Sequence, residues 1–324
     1  MSRAEPSVWL SHVPIFLTLA AVLALSGVSI FVGVGDIFAS RADSLHLVLA
    51  SRLPRTFAVL LTGASLAVAG LVMQTLARNR FVDPMIAGTG QSAALGILAV
   101  TLYAPQSTLI LKVLVGSLAA FIGTAVFLLL ARRLPPTEPH LVPLFAIIYG
   151  GIVGAFTTAF AWHTDLLQFL DVWMNGEFSG VVRGRYETLW ATAVLVISAW
   201  WVADRLTILS LGRETSIGLG LNYTIVLQIG LLIVSLIAGL TVATVGALPF
   251  VGLVVPALVS RITGDDVRRA IPLVAAGGAG LVLISDLIGR IIRFPYEIPA
   301  GTILGVVGAI AFLAILFSRS FRHA

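Results

Sequence analysis

The sequence has no cysteine, a single lysine (Lys112), and few ions of either sign: charged residues make up 11% of its 324 positions. The missing cysteines exclude a disulfide framework, thiolate metal sites and thiol catalysis. The shortage of charge excludes a water-facing surface, because soluble globular proteins carry about 25% charged residues. A cytosolic enzyme and a disordered chain go with it. The net charge of +5 does not indicate a nucleic-acid partner, since the basic residues stand singly in apolar sequence and form no patch. A P-loop needs a glycine-rich turn and a lysine followed by Ser or Thr, so that the ammonium reaches the nucleotide phosphates. Val113 follows the only lysine, so ATP could drive this chain only through a partner. The five histidines (12, 46, 140, 163 and 323) never pair at ligand spacing, and no resident metal or other cofactor is expected.

What is present is apolar. Hydrophobic residues make up 58% of the chain, and the mean hydropathy is +1.04. A membrane-crossing helix needs about 20 largely apolar residues. Runs of that kind lie near 11–33, 55–77, 86–104, 109–131, 141–162, 188–204, 223–243, 246–262, 271–291 and 299–318. They predict an all-α, polytopic membrane protein of about ten transmembrane helices, with one membrane domain over 1–324 and no soluble domain. The first run is too long for a signal-peptide core and lacks a small-residue cleavage pattern, so it reads as a retained helix.

Alternating the loops from side to side gives one face twelve basic residues: Arg3, Arg78, Arg80, Arg132, Arg133, Arg205, Arg213, Arg261, Arg268, Arg269, Arg319 and Arg322. The opposite face receives eight: Arg41, Arg52, Arg55, Lys112, Arg183, Arg185, Arg290 and Arg293. The excess assigns the first face, and both termini, to the cytoplasm.

Two loops are longer than connections need to be. Thr164–Glu187 mixes Leu166, Leu167, Phe169, Leu170 and Trp173 with polar residues, which suits a short interfacial helix. Asp204–Asn222 carries glycines at 212, 218 and 220, which predict one or two short helices and a candidate docking surface on the cytoplasmic side. Gly88–Ala93 fits the GxGxxA dinucleotide pattern, yet it lacks the acidic residue about 20 positions on and reads as a small-residue helix start. Gly150–Gly154 and Gly301–Gly305 have the GxxxG spacing of close helix packing. Polar residues within the runs, such as Gln74, Thr157, Thr158 and Ser285, have no base at helical spacing, which argues against an embedded hydrolase. Pro54 suits the first turn of a helix that Arg52 and Arg55 open. Asp286 and Arg290 stand at i, i+4 and can pair on one face, with Arg293 and Glu297 beyond them. Snorkelling anchors are the plain reading of these outer arginines; rigidly held guanidiniums could also receive carboxylates of an extracytoplasmic protein.

Several stretches together resemble one family: the membrane subunits of ATP-binding-cassette importers for iron chelates, haem and cobalamin. They are RLPRTFAVLLTGASLAVAGLVMQTLARN (52–79), WMNGEFSGV (173–181), LGRETSIGLGL (211–221), GALPFVGLVVP (246–256), GDDVRR (264–269) and SDLIGRIIRFPYEIPAGTILGVVGAIAF (285–312). The resemblance implies the type II importer permease fold, with ATP-driven alternating access in a bacterial cytoplasmic (inner) membrane. It implies a second permease subunit, identical or homologous, two ATP-binding subunits that use the ATP, and an extracytoplasmic substrate-binding protein; nucleic acid has no place in it. Arg52, Arg55 and Arg290 match the family's arginines that dock the binding protein. Leu211, Gly212, Arg213, Glu214, Gly218, Leu219 and Gly220, within the loop 204–222, match its coupling helices, and Asn79 and Phe81 match its inner gate. Where the family has Pro-Leu after the asparagine, this chain has Arg80-Phe81-Val82-Asp83-Pro84, a variant similar to the ferric-siderophore branch. Haem or cobalamin is the alternative cargo, and an ion-coupled secondary transporter is the contrasting mechanism.

Overall fold

The computed structural model describes residues 8–32, 48–135, 138, 141–184 and 186–317. Arg3, Arg41, Arg185, Arg319 and Arg322, which entered the orientation argument, lie outside these residues. All ten apolar runs contain helix. In chain order the helices are α1 (Val8–Phe31), α2 (Leu53–Ala77), α3 (Thr89–Tyr103), α4 (Leu109–Ala131), α5 (Leu141–His163), α6 (Leu167–Met174), α7 (Trp190–Trp201), α8 (Ala203–Ser210), α9 (Arg213–Gly218), α10 (Tyr223–Thr244), α11 (Val251–Thr263), α12 (Val267–Ile291) and α13 (Ala300–Phe317). A π-helical turn, Val48–Arg52, leads into α2. The end where α1 stops and α2 begins is called outer, following the charge bias.

Among the described residues, five helical stretches are long and apolar enough to cross a membrane alone: Val48–Ala77, Leu109–Ala131, Leu141–His163, Tyr223–Thr244 and Val267–Ile291. The α7–α8 pair, bent by 60°, makes a sixth. Other apolar runs yield shorter helices: α3 has 15 residues and α11 has 13. At about 1.5 Å per residue such helices fall short of a hydrocarbon core of about 30 Å.

The shortening has a local cause. The sequence places these spans from 86 and 246, but the helices start at Thr89 and Val251. Gly88, with φ +87°, is the N-cap of α3, and Phe250, with φ +68°, is the N-cap of α11. Irregular backbone at membrane depth is tolerated only where protein satisfies it. Here Ala247 N–H donates to the Trp173 carbonyl at 3.0 Å, Glu177 N–H to Val245 at 2.8 Å, and Gly301 N–H to Gly176 at 2.9 Å. The segment after α6 therefore ties the starts of α11 and α13 together.

α2 is the central helix, buried by α12, α11 and α10. Glycine lets the backbones approach. A Cβ on Gly63 would fall 2.4 Å from the Gly278 carbonyl oxygen of α12, and one on Gly70 would fall 2.0 Å from that of Gly252 on α11. Of the two GxxxG pairs, one member each is used: Gly150 closes on the Ile86 carbonyl and Gly301 on that of Asn175, while Gly305 faces open space and Gly154 meets nothing nearer than Gln91 Cγ at 3.5 Å. The stretches 164–187 and 204–222, expected to hold short helices, contain α6 and, apart from Ala203, the pair α8 and α9.

Candidate transport and docking sites

At the outer end α1 ends with backbone carbonyls that the helix itself cannot pair. Two arginines from distant sequence supply the donors. Arg52 Nη1 donates to the carbonyls of Ile30 (2.8 Å) and Phe31 (3.1 Å), and Arg290 Nη1 donates to those of Ser29 (3.1 Å) and Val32 (3.0 Å). Cationic groups at a helix C-terminus also oppose its dipole, worth about 0.3–2 kcal/mol. Arg290 pairs with Asp286 one turn earlier on α12. Arg55 joins them from α2: its Nη2 reaches Asp286 Oδ1 at 2.7 Å, and its Nη1 lies 2.7 Å from Glu297 Oε2.

The three arginines expected at the outer surface are therefore brought together and turned inward. Arg52 is 6% exposed and Arg290 4%, while the Arg55 side chain keeps 13%. Their surroundings hold three guanidiniums against two carboxylates, one positive charge in excess. Arg183 and Arg293 are exposed on the same end.

At the inner end a cavity of about 630 Å³ is bordered by Asn79 and Arg80 after α2, Ser210 and Leu211 after α8, and Asp265 and Asp266 before α12. It joins the expected gate to the expected coupling loop. Asn79 Oδ1 accepts from Phe81 N–H at 2.9 Å, a turn that fixes how Phe81 is presented. The Phe81 ring meets Phe312 of α13 edge-on, centroids 6.2 Å apart. Arg78 adopts the left-handed conformation (φ +52°), and its guanidinium would lie 3.3 Å from a Cβ on Gly212. Of the residues expected to couple to an ATPase, Arg213, Glu214, Gly218, Leu219 and Gly220 are all exposed, as are the apolar Leu211 and Ile217. Ser216 holds the α8–α9 corner, donating to the Ile208 and Gly212 carbonyls.

A third feature was missed in sequence. α5 carries two unlike stripes: Ile148, Ile152 and Phe156 are large, apolar and exposed at successive i, i+4 positions, while Gly151, Gly154, Ala155 and Thr158 line a groove of about 510 Å³. Gln91 of α3 and Asp171 of α6 add polar groups to that groove, and Met85, Ile86, Ile147, Leu170 and Met174 add apolar ones; the Gln91 Oε1 is buried without a hydrogen-bond partner. Only a helical projection of the α5 run could have separated the stripes beforehand.

Asp83 was also missed. It is 1% exposed, beside the Gly70–Gly252 crossing. Its Oδ1 accepts from Met85 N–H at 2.7 Å. Among the described residues no group of three or more His, Cys, Asp or Glu could hold a metal ion.

A family model described as the FecCD transport family matches residues 15–318. The chain belongs to the FecCD transport family. The petrobactin import system permease YclN of Bacillus subtilis (strain 168) is 39% identical over 303 residues, covering 92% of this chain and 96% of that one. The petrobactin import system permease FatD of Bacillus anthracis is 36% identical, covering 94% and 91%. The vitamin B12 import system permease BtuC of Citrobacter koseri is 32% identical, covering 95% and 93%. Among solved structures, a metal-chelate type ABC transporter in an inward-facing conformation shares the fold, with a TM-score of 0.78, 21% identity, and coverage of 94% of this chain and 98% of that one. As a FecCD member the chain is a membrane-embedded permease subunit of an ABC importer, a transporter component and not an enzyme. The family works in general with an ATPase and a substrate-binding protein.

Proposed function

We propose that this FecCD permease forms one wall of a path for a ferric siderophore across a bacterial cytoplasmic membrane, beside an identical or homologous second permease, with both termini in the cytoplasm. The observation that carries the cargo reading is near full-length similarity to petrobactin permeases. The two stripes of α5 support the path reading. Large apolar side chains suit lipid, whereas the Thr158 hydroxyl, and the Gln91 amide and Asp171 carboxyl that share its groove, would lose hydrogen bonds to water there at a cost of several kcal/mol each. The small and polar stripe therefore faces water and cargo, and Ile148, Ile152 and Phe156 face lipid.

The remaining roles follow from charge and exposure. The outer cluster has one positive charge in excess and exposed Arg293, just beyond α12, adds another, while exposed Arg183 is offset by exposed Glu187 at the same turn. An acidic extracytoplasmic binding protein fits that surface, with Arg55 as its contact and Arg52 and Arg290 as the supports beneath. Leu211, Ile217 and Leu219 are exposed apolar groups on a short cytoplasmic segment, suited to the cleft of an ATPase. Two such ATPases supply ATP hydrolysis, and this chain binds no cofactor. Asn79 and Phe81 act as the inner gate.

The test is uptake of ferric petrobactin into proteoliposomes holding the permease pair, the ATPases and the binding protein. Uptake that requires ATP and the binding protein is expected. Cobalamin or haem carried in place of ferric petrobactin would overturn the cargo reading. Uptake by the permease alone on a proton gradient would overturn the mechanism.

A further inference from the structure

Asp83 performs none of the roles above, yet it is a fully buried carboxyl in the segment that carries the proposed gate residue Phe81. Its two oxygens point in different directions. Oδ1 accepts the Met85 and Ile86 amides and so braces its own segment. Oδ2 turns to the first-turn amides of α11, those of Gly252 and Leu253; it is shut off from solvent and reaches neither with regular hydrogen-bond geometry. Helix N-termini present unpaired N–H groups and partial positive charge, and Asp83 is the anion set against this one. Gln74 of α2 donates to the Gly252 carbonyl at 3.1 Å, closing the contact from the other side.

The packing divides at the same place. Leu253, Val254, Ala257 and Ile315 form an apolar cluster separate from the main core, with Phe81, Ile86, Phe250 and Phe312 packed on it. Within segment 79–86, Phe81 and Ile86 pack on this cluster of α11 and α13 residues, while Val82 and Met85 belong to the main core.

We infer that Asp83 is a positioning residue of the inner gate: it fixes segment 79–86 to the start of α11, so that Phe81 moves with α11 and α13 as one body. This rests on the reading of Phe81 as a gate residue, but the link itself can be tested without it.

The natural absence of cysteine makes spin labelling direct. Labels at Arg80→Cys and Leu313→Cys lie outside the apolar cluster. In the assembled importer, with and without trapped nucleotide, we expect one narrow Arg80–Leu313 distance peak at an unchanged position. A nucleotide-dependent shift of that peak would overturn the single body. Adding Asp83→Asn, which keeps the shape and removes the charge, is expected to broaden the peak. An equally narrow peak in that variant would overturn the role of Asp83. Should the variant fail to insert, the nucleotide comparison with Asp83 intact still decides whether the body is rigid. A label at Arg80 paired with one on the second permease reports the gate separately. If that distance ignores nucleotide while the other results hold, the gate assignment falls and the Asp83 link stands.

Discussion

At the outer end, Arg52, Arg55 and Arg290 are spent on the protein itself, donating to α1 carbonyls and to Asp286 and Glu297. At the inner end, Arg78 and Arg213 are exposed, and the ion pairs there, Arg80–Asp265, Arg268–Asp204 and Arg269–Asp266, have side chains 40–82% exposed. The same residue type therefore does different physical work. Buried, hydrogen-bonded guanidiniums fix how α1, α2 and α12 meet. Exposed ones leave the inner end open to a partner and add little to stability.

The sharpest way to break this contrast is Arg290→Ala. It leaves Asp286, buried at 2% exposure, with Arg55 as its remaining ion-pair partner, and removes the donor to Ser29 and Val32. Losing one partner of a buried pair costs about 3–5 kcal/mol, so thermal unfolding in detergent should show a large drop in midpoint. Next comes Gly70→Leu, whose side chain has no room against the Gly252 backbone. Overpacking costs about 1–3 kcal/mol or more, and the same measurement should register it. Glu297→Gln should cost less, about 1 kcal/mol, because Glu297 is partly exposed and Asp286 still holds Arg55. Asp265→Asn, which removes an exposed pair, should leave stability within about 0.5 kcal/mol. Arg213→Ala belongs with it in stability, yet should lower ATP turnover stimulated by the binding protein. An outer-cluster variant as mild as Asp265→Asn would erase the distinction between the two ends.

Much of the fold was legible because lipid imposes a length rule: all ten apolar runs hold helix. Their limits failed at α3 and α11, where Gly88 and Phe250 adopt left-handed backbone and start each helix late. The Asp286–Arg290 pair was legible as neighbours on one helix turn. The Arg55–Glu297 bond spans 242 positions, and the capping of α1 by Arg52 and Arg290 needs knowledge of where α1 ends in space. For the same reason the arginines read as surface groups, although they are buried. Gly150 and Gly301 announced close approach, but not that the carbonyls of Ile86 and Asn175 are what they approach. Asp83 escaped because a hydropathy reading places the residues between two spans at the membrane surface, whereas this connection is buried against α11.

The central claim is that one stripe of α5 faces a watery path and the other faces lipid. Single cysteines at Ala155, Thr158, Ile152 and Phe156, placed in this cysteine-free chain and probed in the assembled importer with a water-soluble thiol reagent, test it directly. The account predicts modification of Ala155→Cys and Thr158→Cys, with ferric petrobactin slowing it, and none of Ile152→Cys or Phe156→Cys. Equal reactivity at all four positions, or reaction confined to Ile152→Cys and Phe156→Cys, would contradict it.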